Sequence, residues 1–236
     1  MISITRNLIA GISKLFPDAI FYKPTSSKVV SLTIDDVGGV DTLQILDTID
    51  SFNENIPNDR ERIRATFFVI TDYLDDSKTM LDEILNRGHE IGNHGQKERR
   101  HSSLDTLEFR AEIDQAHEIL SSSTIDSAIK WFRPGRAFYN DGMLKILKES
   151  TVYYDKFALA SMLPLDTYSI FDNPNFTIKY TSQFIFPGSI LLLHGGTPKR
   201  TTNTVEVLST LLTQLRQQEY KVVTLSELWG SSLTNN

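Results

Sequence analysis

Short runs of apolar, often β-branched residues recur along this chain, and a helical pattern follows most of them. The runs fall at residues 28–34, 65–70, 89–92, 130–133, 156–160, 189–194 and 220–225. Strands that are apolar nearly throughout are typical of parallel sheets that are buried on both faces. Repeated strand–helix units of this kind predict a single-domain α/β fold, a distorted TIM-like (β/α)7 barrel, with an open doubly wound sheet as the alternative.

The two ends of the chain lie outside this pattern. Leu8 and Leu15 fall on one face of an N-terminal helix, whose apolar segment is too short for a secretory signal. We expect residues 1–27 to form a helix and lead-in packed on the barrel, residues 28–230 the domain, and residues 231–236 a tail. The lack of a recognisable signal peptide favours a cytoplasmic location, and no apolar run reaches the roughly 18 residues of a membrane span.

Composition excludes several classes of function. The chain has 236 residues, a formal net charge of −6 and no cysteine. A net negative charge disfavours binding to a phosphate backbone, so nucleic acid is not an expected partner. The absence of cysteine excludes disulfides and thiolate metal ligands. No glycine-rich phosphate-binding motif follows a strand, so nothing indicates nucleotide binding, and no feature indicates an oligomeric state.

Polar side chains suited to catalysis stand at the ends of four predicted strands. They are Asp35 and Asp36 after the first run, His94 after the third, Arg133 in the fourth and His194 in the sixth. In parallel α/β folds the carboxyl ends of the strands form the active site. Neighbouring strand residues point to opposite faces, but a turn at the strand end would let both carboxylates enter one pocket. The pattern therefore predicts one polar site.

Four segments carry a resemblance to a known family. "SLTIDDVGG", "GHEIGNH", "WFRPG" and "ILLLHGG" occur in the order of the motifs of the polysaccharide deacetylases (NodB-homology domain, carbohydrate esterase family 4). The chain resembles a divergent bacterial member of that family over residues 28–228. The resemblance implies a distorted barrel and a metal-dependent hydrolase that removes acetyl groups from N-acetylated or O-acetylated sugar units. The expected partner is a carbohydrate that carries acetamido or acetyl groups.

The resemblance also implies roles for the residues at the strand ends. Asp35 would be the general base that takes a proton from water, and Arg133 would pair with it and orient it. Asp36 and His94 would be ligands of a divalent metal ion. His194 would be the general acid that protonates the departing nitrogen. Nitrogen and oxygen ligands suit zinc, and cobalt or nickel would also fit.

Two further roles rest on motifs that depart from the family pattern. The backbone N–H of Arg136 would help to bind the oxyanion, although Gly135 and Arg136 replace the usual proline and tyrosine. Asp166, in "LASMLPLDTY", would hold His194 or Arg133 in position. Its motif lacks the usual tryptophan, and a loop aspartate without a catalytic role is the alternative.

The second motif leaves the third metal ligand open. Glu98 stands four residues after His94, where the family has its second histidine, and His101 stands seven after it. On a helix, residues four apart lie about 5–6 Å apart at Cβ, whereas residues seven apart lie about 10.5 Å apart. Donors to one ion must lie within roughly 4 Å of each other, so a helix favours Glu98 and an irregular loop admits His101. A degraded site with weak or no metal binding is the third alternative.

These departures keep two other functions open beside deacetylation. One is a catalytically impaired, carbohydrate-binding relative with the same fold, which the irregular second and fourth motifs would suit. The other is a hydrolase of a different small amide, which would use the same chemistry on another substrate. Deacetylation of sugars is the favoured function, because residues of all the expected catalytic types stand at the strand ends.

Overall fold

The computed structural model describes residues 2–75, 79–123, 128–162, 165–167 and 173–230. The strands are β1 (Ala19–Ile20), β2 (Val29–Val37), β3 (Ala65–Val69), β4 (Glu90–Asn93), β5 (Phe157–Ala158), β6 (Ile190–His194) and β7 (Lys221–Val223). The helices are α1 (Ile2–Leu15), α2 (Thr42–Asn53), α3 (Thr79–Asn86), α4 (Thr106–Leu120), α5 (Asp141–Glu149), α6 (Pro174–Phe184), α7 (Pro198–Gln217) and α8 (Leu225–Trp229). Strands and helices alternate along most of the chain, which confirms the predicted α/β class.

The main sheet is built around β2. This strand pairs in parallel with β3 and β6, its first residues pair with β7, and β3 pairs with β4. A second parallel pair joins β1 to β5. All residues of β2 after the first are buried, as expected for a strand that is covered on both faces. The continuous apolar runs of the sequence therefore correspond to parallel strands.

Backbone contacts outside the regular strands continue the main sheet towards a barrel. Asn93 of β4 forms an isolated bridge with Phe132, and the Phe132 carbonyl accepts a hydrogen bond from Ala158 N at 3.0 Å. Ser161 N donates to the carbonyl of Ile190 in β6 at 2.9 Å. Within the described residues the barrel is not closed by regular strand pairing alone. The predicted barrel-like fold is confirmed, and its fourth predicted strand is reduced to the bridge at Phe132.

The N-terminal helix α1 forms where the sequence predicts it. Leu8 is 62% exposed and Leu15 is 76% exposed, whereas Ile12, on the same predicted face, is half-buried. Helix α1 contacts α6, and the two leucines lie in solvent. None of the described helices is both long enough and apolar enough to span a membrane.

Helix α4 begins at a capping box. The Asp105 carboxylate accepts hydrogen bonds from Leu107 N and Glu108 N, both at 2.8 Å. Asp105 N in turn donates to the Glu108 carboxylate at 3.0 Å. This reciprocal pairing satisfies backbone donors at the helix start. It fixes where the irregular segment after β4 ends and α4 begins.

Candidate active site

A bulge at the end of β2 brings Asp35 and Asp36 into one cavity. The pairing of β2 with β3 shifts register between Ile34 and Val37, and Asp36 has a φ of 57°, in the left-handed region. A bulge redirects side chains that would otherwise point to opposite faces of the sheet. Both carboxylates are buried, and both line a cavity of about 360 Å³. The predicted turn therefore lies within β2 rather than at the glycines after it.

The backbone of Asp36 packs against the loop that follows β6. Gly196 has a φ of +80°, and a Cβ added there would lie 2.6 Å from the Asp36 carbonyl oxygen. Only glycine has both the conformational freedom and the small size that this contact needs. The second glycine of "HGG" thus allows the His194 loop to approach the bulge in β2.

His94 faces both carboxylates through one ring nitrogen. Its Nδ1 lies 2.8 Å from the Arg133 carbonyl oxygen and donates a hydrogen bond to it. Its Nε2 lies 3.5 Å from Asp36 Oδ1 and 3.7 Å from Asp35 Oδ2. Burial alone would lower the pKa of His94, but the charges of Asp35 and Asp36 outweigh it and raise the pKa. The ring orientation is therefore set by the backbone and leaves Nε2 directed at the carboxylates.

Arg133 anchors Asp35 from inside the barrel. Its Nη1 donates to Asp35 Oδ1 at 2.6 Å and to Thr33 Oγ1 at 2.8 Å, and its Nε donates to the Ala158 carbonyl at 2.8 Å. The guanidinium also stacks on the ring of Phe68, with 4.0 Å from Cζ to the ring centre. Because its donors are distributed over strand backbone and side chains, Arg133 holds the Asp35 carboxylate in one orientation.

His194 is paired with Asp166. The sequence predicted either His194 or Arg133 as the partner of this aspartate. His194 Nδ1 lies 2.9 Å from Asp166 Oδ2. Burial alone would lower the pKa of His194, but the charges of Asp166, Asp35 and Asp36 outweigh it and raise the pKa to about 9. His194 is therefore protonated at neutral pH and has a proton to donate into the cavity.

Arg136 lies in a strained turn at the cavity wall. Arg136 and Ala137 have φ values of 63° and 59°, and neither residue is glycine. Such left-handed residues cost free energy and persist where the surrounding structure holds them. The turn borders the cavity next to Gly135, while the side chain of Arg136 is 62% exposed. This position is compatible with the predicted role of the Arg136 backbone N–H.

Glu98 and His101, the two candidates for a third metal ligand, lie in different environments. The segment between them is irregular, so the helical geometry that favoured Glu98 does not apply. Glu98 nevertheless lines the cavity, where its carboxylate accepts from the Tyr73 hydroxyl at 3.2 Å. His101 is fully buried, and its Nδ1 accepts a hydrogen bond from Gly135 N at 2.7 Å. Its Nε2 faces Gly95, so no ring nitrogen of His101 is directed into the cavity.

Two residues of the site were missed by the sequence interpretation. Arg200, in the first turn of α7, lies with Nη1 3.2 Å from Asp36 Oδ2. Glu112 of α4 is buried and accepts hydrogen bonds from Gln96 N at 2.8 Å and from Arg99 Nη2 at 2.5 Å. The sequence contained a signal for Glu112, because a carboxylate on the apolar face of a strongly patterned helix is unusual. For Arg200 the only indication was its closeness in sequence to the motif that contains His194.

The side chains of the cavity fit a divalent metal in part. Asp36 and His94 supply an oxygen and a nitrogen donor that face each other, and the backbone bond of His94 Nδ1 leaves Nε2 as the ligand atom. The described residues contain no group of three or more histidine, aspartate and glutamate side chains arranged to hold a metal. Asp36 and His94 are thus two candidate ligands, and the carboxylates of Asp35 and Glu98 also line the cavity.

Comparison of the sequence with known families agrees with this geometry. The profile described as polysaccharide deacetylase matches residues 22–154. A peptidoglycan-N-acetylglucosamine deacetylase of Bacillus cereus is 28% identical over 210 residues, which cover 87% of this chain and 90% of that protein. The similarity to this relative thus extends over nearly the whole length of both chains.

Solved structures of two other proteins share the fold. A CE4 family pseudoenzyme from Bacillus anthracis is 25% identical, with a TM-score of 0.70 and coverage of 91% of this chain and 69% of that chain. A mutant of that protein with restored enzymatic activity is 26% identical, with the same TM-score of 0.70. A family 4 acetyl xylan esterase from Clostridium thermocellum, in complex with a cobalt ion, is 24% identical, with a TM-score of 0.71 and coverage of 86% and 90%.

Proposed function

Because this chain belongs to the polysaccharide deacetylase family, we propose that it hydrolyses acetyl groups from the sugar units of a polysaccharide or oligosaccharide. The bond cleaved is the C–N bond of an acetamide, with acetyl esters as a second substrate class. One observation carries the proposal: Asp35 and His194 occupy paired positions on β2 and β6 and face one cavity. The peptidoglycan deacetylase relative supports a glycan as the substrate.

Asp35 is the base in this proposal. Arg133 binds Asp35 Oδ1, so Oδ2 is the oxygen that points towards His94 and the cavity. A water molecule that donates to Asp35 Oδ2 would lose its proton to this carboxylate as its oxygen attacks the acetyl carbonyl. The Arg133 guanidinium is buried with Asp35 and compensates its charge, which keeps the carboxylate in one position through the reaction.

His194 is the acid. An amine departs from the tetrahedral intermediate only after its nitrogen gains a proton. The pairing of His194 with Asp166 keeps the ring protonated at neutral pH and directs Nε2 away from Asp166. The left-handed turn at Arg136 would present its backbone N–H to the oxyanion.

Asp36 and His94 would hold a divalent metal ion, with Glu98 as the third ligand. Such an ion, when bound, polarises the carbonyl and lowers the pKa of its bound water. Nitrogen and oxygen donors suit zinc, with cobalt or nickel as alternatives. His101 is the less suitable third ligand, because its Nδ1 is bonded to Gly135 N behind the cavity wall.

Acetate release tests this function. The protein, supplied with zinc or cobalt, is incubated with N-acetylglucosamine oligomers, peptidoglycan fragments, O-acetylated xylan and small amides. We expect release from at least one acetylated glycan, and a decrease of about 10²–10⁴-fold in His194→Ala. His117→Ala is the matched control, because His117 lies on α4 and does not line the cavity. No release from any acetylated glycan would contradict the proposal, and preference for a small amide would assign the other hydrolase function.

A carbohydrate-binding protein without turnover is the second candidate. The observation that favours it is that Asp36 and His94 face each other, but the described residues contain no group of three or more histidine, aspartate and glutamate side chains arranged to hold a metal. That function predicts oligosaccharide binding in calorimetry, with no acetate released at any metal concentration. Turnover that depends on Asp35 would exclude it.

A further inference from the structure

Arg200 joins two carboxylates that the proposed metal site needs. Its Nη1 lies 3.2 Å from Asp36 Oδ2 and 3.9 Å from Glu98 Oε1. Thr197 is the N-cap of helix α7, and its hydroxyl accepts a hydrogen bond from Arg200 N at 3.3 Å. This cap fixes Arg200 in the first turn of α7, directly after the loop of the general acid. The guanidinium thus links the end of β2 to the segment after β4.

The pairing is only weakly screened by water. The side chains of Asp36 and Arg200 are 8% and 26% exposed. Coulomb attraction between two charges increases as water is excluded from around them. Asp36 therefore already has a cationic partner from the protein itself.

A metal ion at this site would meet the same guanidinium. Asp36 Oδ1 faces His94 Nε2, while Oδ2 faces Arg200. An ion held by Oδ1 would be repelled by the positively charged Arg200 guanidinium, which lies beside the other oxygen of the same carboxylate. We propose that Arg200 and a divalent metal ion compete for the Asp36 and Glu98 carboxylates, so that Arg200 lowers the metal affinity of the site. This inference rests on the proposed metal-dependent function.

Glu98 remains at the cavity when Arg200 is removed. The Tyr73 hydroxyl donates to Glu98 Oε2 at 3.2 Å, and Arg136 Nη2 lies 3.5 Å from Glu98 Oε1. Glu98 is therefore available as a third ligand once the guanidinium has left.

Cobalt titration of the full chain tests the competition. The protein is stripped of metal with a chelator and titrated with Co²⁺, and binding is followed by calorimetry and visible absorption. We expect Arg200→Gln to bind Co²⁺ at least about tenfold more tightly than the wild type. Arg200→Lys keeps the charge and stays near the wild-type affinity. Arg216→Gln, in the last turn of the same helix, is the matched control and leaves the affinity unchanged.

Two further variants identify the ligands. Glu98→Gln added to Arg200→Gln is expected to reverse most of the gain in affinity, because the third carboxylate is lost. Asp36→Asn is expected to abolish binding in either background. Equal or weaker Co²⁺ binding by Arg200→Gln overturns the competition, and undiminished binding by Asp36→Asn overturns the metal site as well. Tighter binding by Arg200→Gln without acetate release supports the competition and contradicts the proposed hydrolase.

Discussion

Asp35 and His194 are register partners on the adjacent parallel strands β2 and β6. Each of them contacts a residue of opposite charge. Arg133 Nη1 lies 2.6 Å from Asp35 Oδ1, and Asp166 Oδ2 lies 2.9 Å from His194 Nδ1. Neighbouring strands lie about 4.8 Å apart, so the two side chains reach one substrate group from adjacent positions. The fold thus places a carboxylate and an imidazolium side by side, each with its own partner.

Asp166→Asn will lower the pKa of His194. Burial opposes the charged ring, and the carboxylates, Asp166 first among them, raise the pKa to about 9. The alkaline limb of kcat/KM for acetate release will therefore move to lower pH by about 1–3 units in the variant. Asp114→Asn, an exposed aspartate on α4, is the control. An unchanged pH profile in Asp166→Asn would contradict the role of this pair.

The same pair links stability to pH. The pKa of His194 in the folded protein, about 9, lies above its ordinary value of 6.5, so the protonated ring favours the folded state. This contribution is fully present below about pH 6.5 and is lost as the pH rises through about 9. Urea unfolding of wild type and Asp166→Asn at several pH values measures it. The difference in unfolding free energy will be larger at pH 6 than at pH 10, and the reverse order would refute the linkage.

Arg133→Gln will destabilise the fold strongly. The side chains of Asp35 and Arg133 are 4% and 3% exposed, so the substitution leaves a buried carboxylate without its cation. Such losses cost about 3–5 kcal/mol, and urea unfolding measures them. The double variant Asp35→Asn/Arg133→Gln will recover part of the loss. A cost no larger than that of the exposed Arg136→Gln would show that the pair is not the anchor described.

Gly95→Ala will destabilise the segment after β4, whereas Gly11→Ala will not. Gly95 has a φ of +82°, and an added Cβ would clash with the His101 ring, whereas nothing lies within 4 Å of a Cβ added at Gly11 in α1. We expect a loss of about 1–3 kcal/mol at Gly95, and a gain of about 0.5–1 kcal/mol at Gly11 from helix propensity. Thermal unfolding of the two variants compares them, and equal effects would contradict the packing.

Most of the site could be predicted from the sequence, because the active sites of parallel α/β folds lie at the carboxyl ends of the strands. Asp35, Asp36, His94, Arg133 and His194 all line the same cavity, because the carboxyl ends of parallel strands meet there. The sequence predicted that Asp166 holds either His194 or Arg133, and only the tertiary fold shows that the partner is His194. The chemical roles of all these site residues remain proposals, which the variants described above test.

The remaining features depend on long-range contacts that local patterns do not contain. The left-handed backbone of Asp36 is set by its packing on Gly196, which is remote in sequence. The segment after β4 is irregular, and Glu112, on the next helix, accepts hydrogen bonds from the backbone N–H groups of Gln96 and Lys97 in that segment. Arg200 reaches Asp36 only after α7 has packed against β6. Spacing alone could not distinguish these outcomes from a helix with a conventional ligand pair.

The most direct test of the account is acetate release by Asp35→Asn in the presence of saturating zinc or cobalt. Asn keeps the size of Asp35 but cannot accept the proton of water. The account predicts that this variant folds, retains the metal affinity of the wild type within about threefold and releases no acetate from the glycan that the wild type deacetylates. Release at the wild-type rate by Asp35→Asn would contradict the assignment of Asp35 as the base.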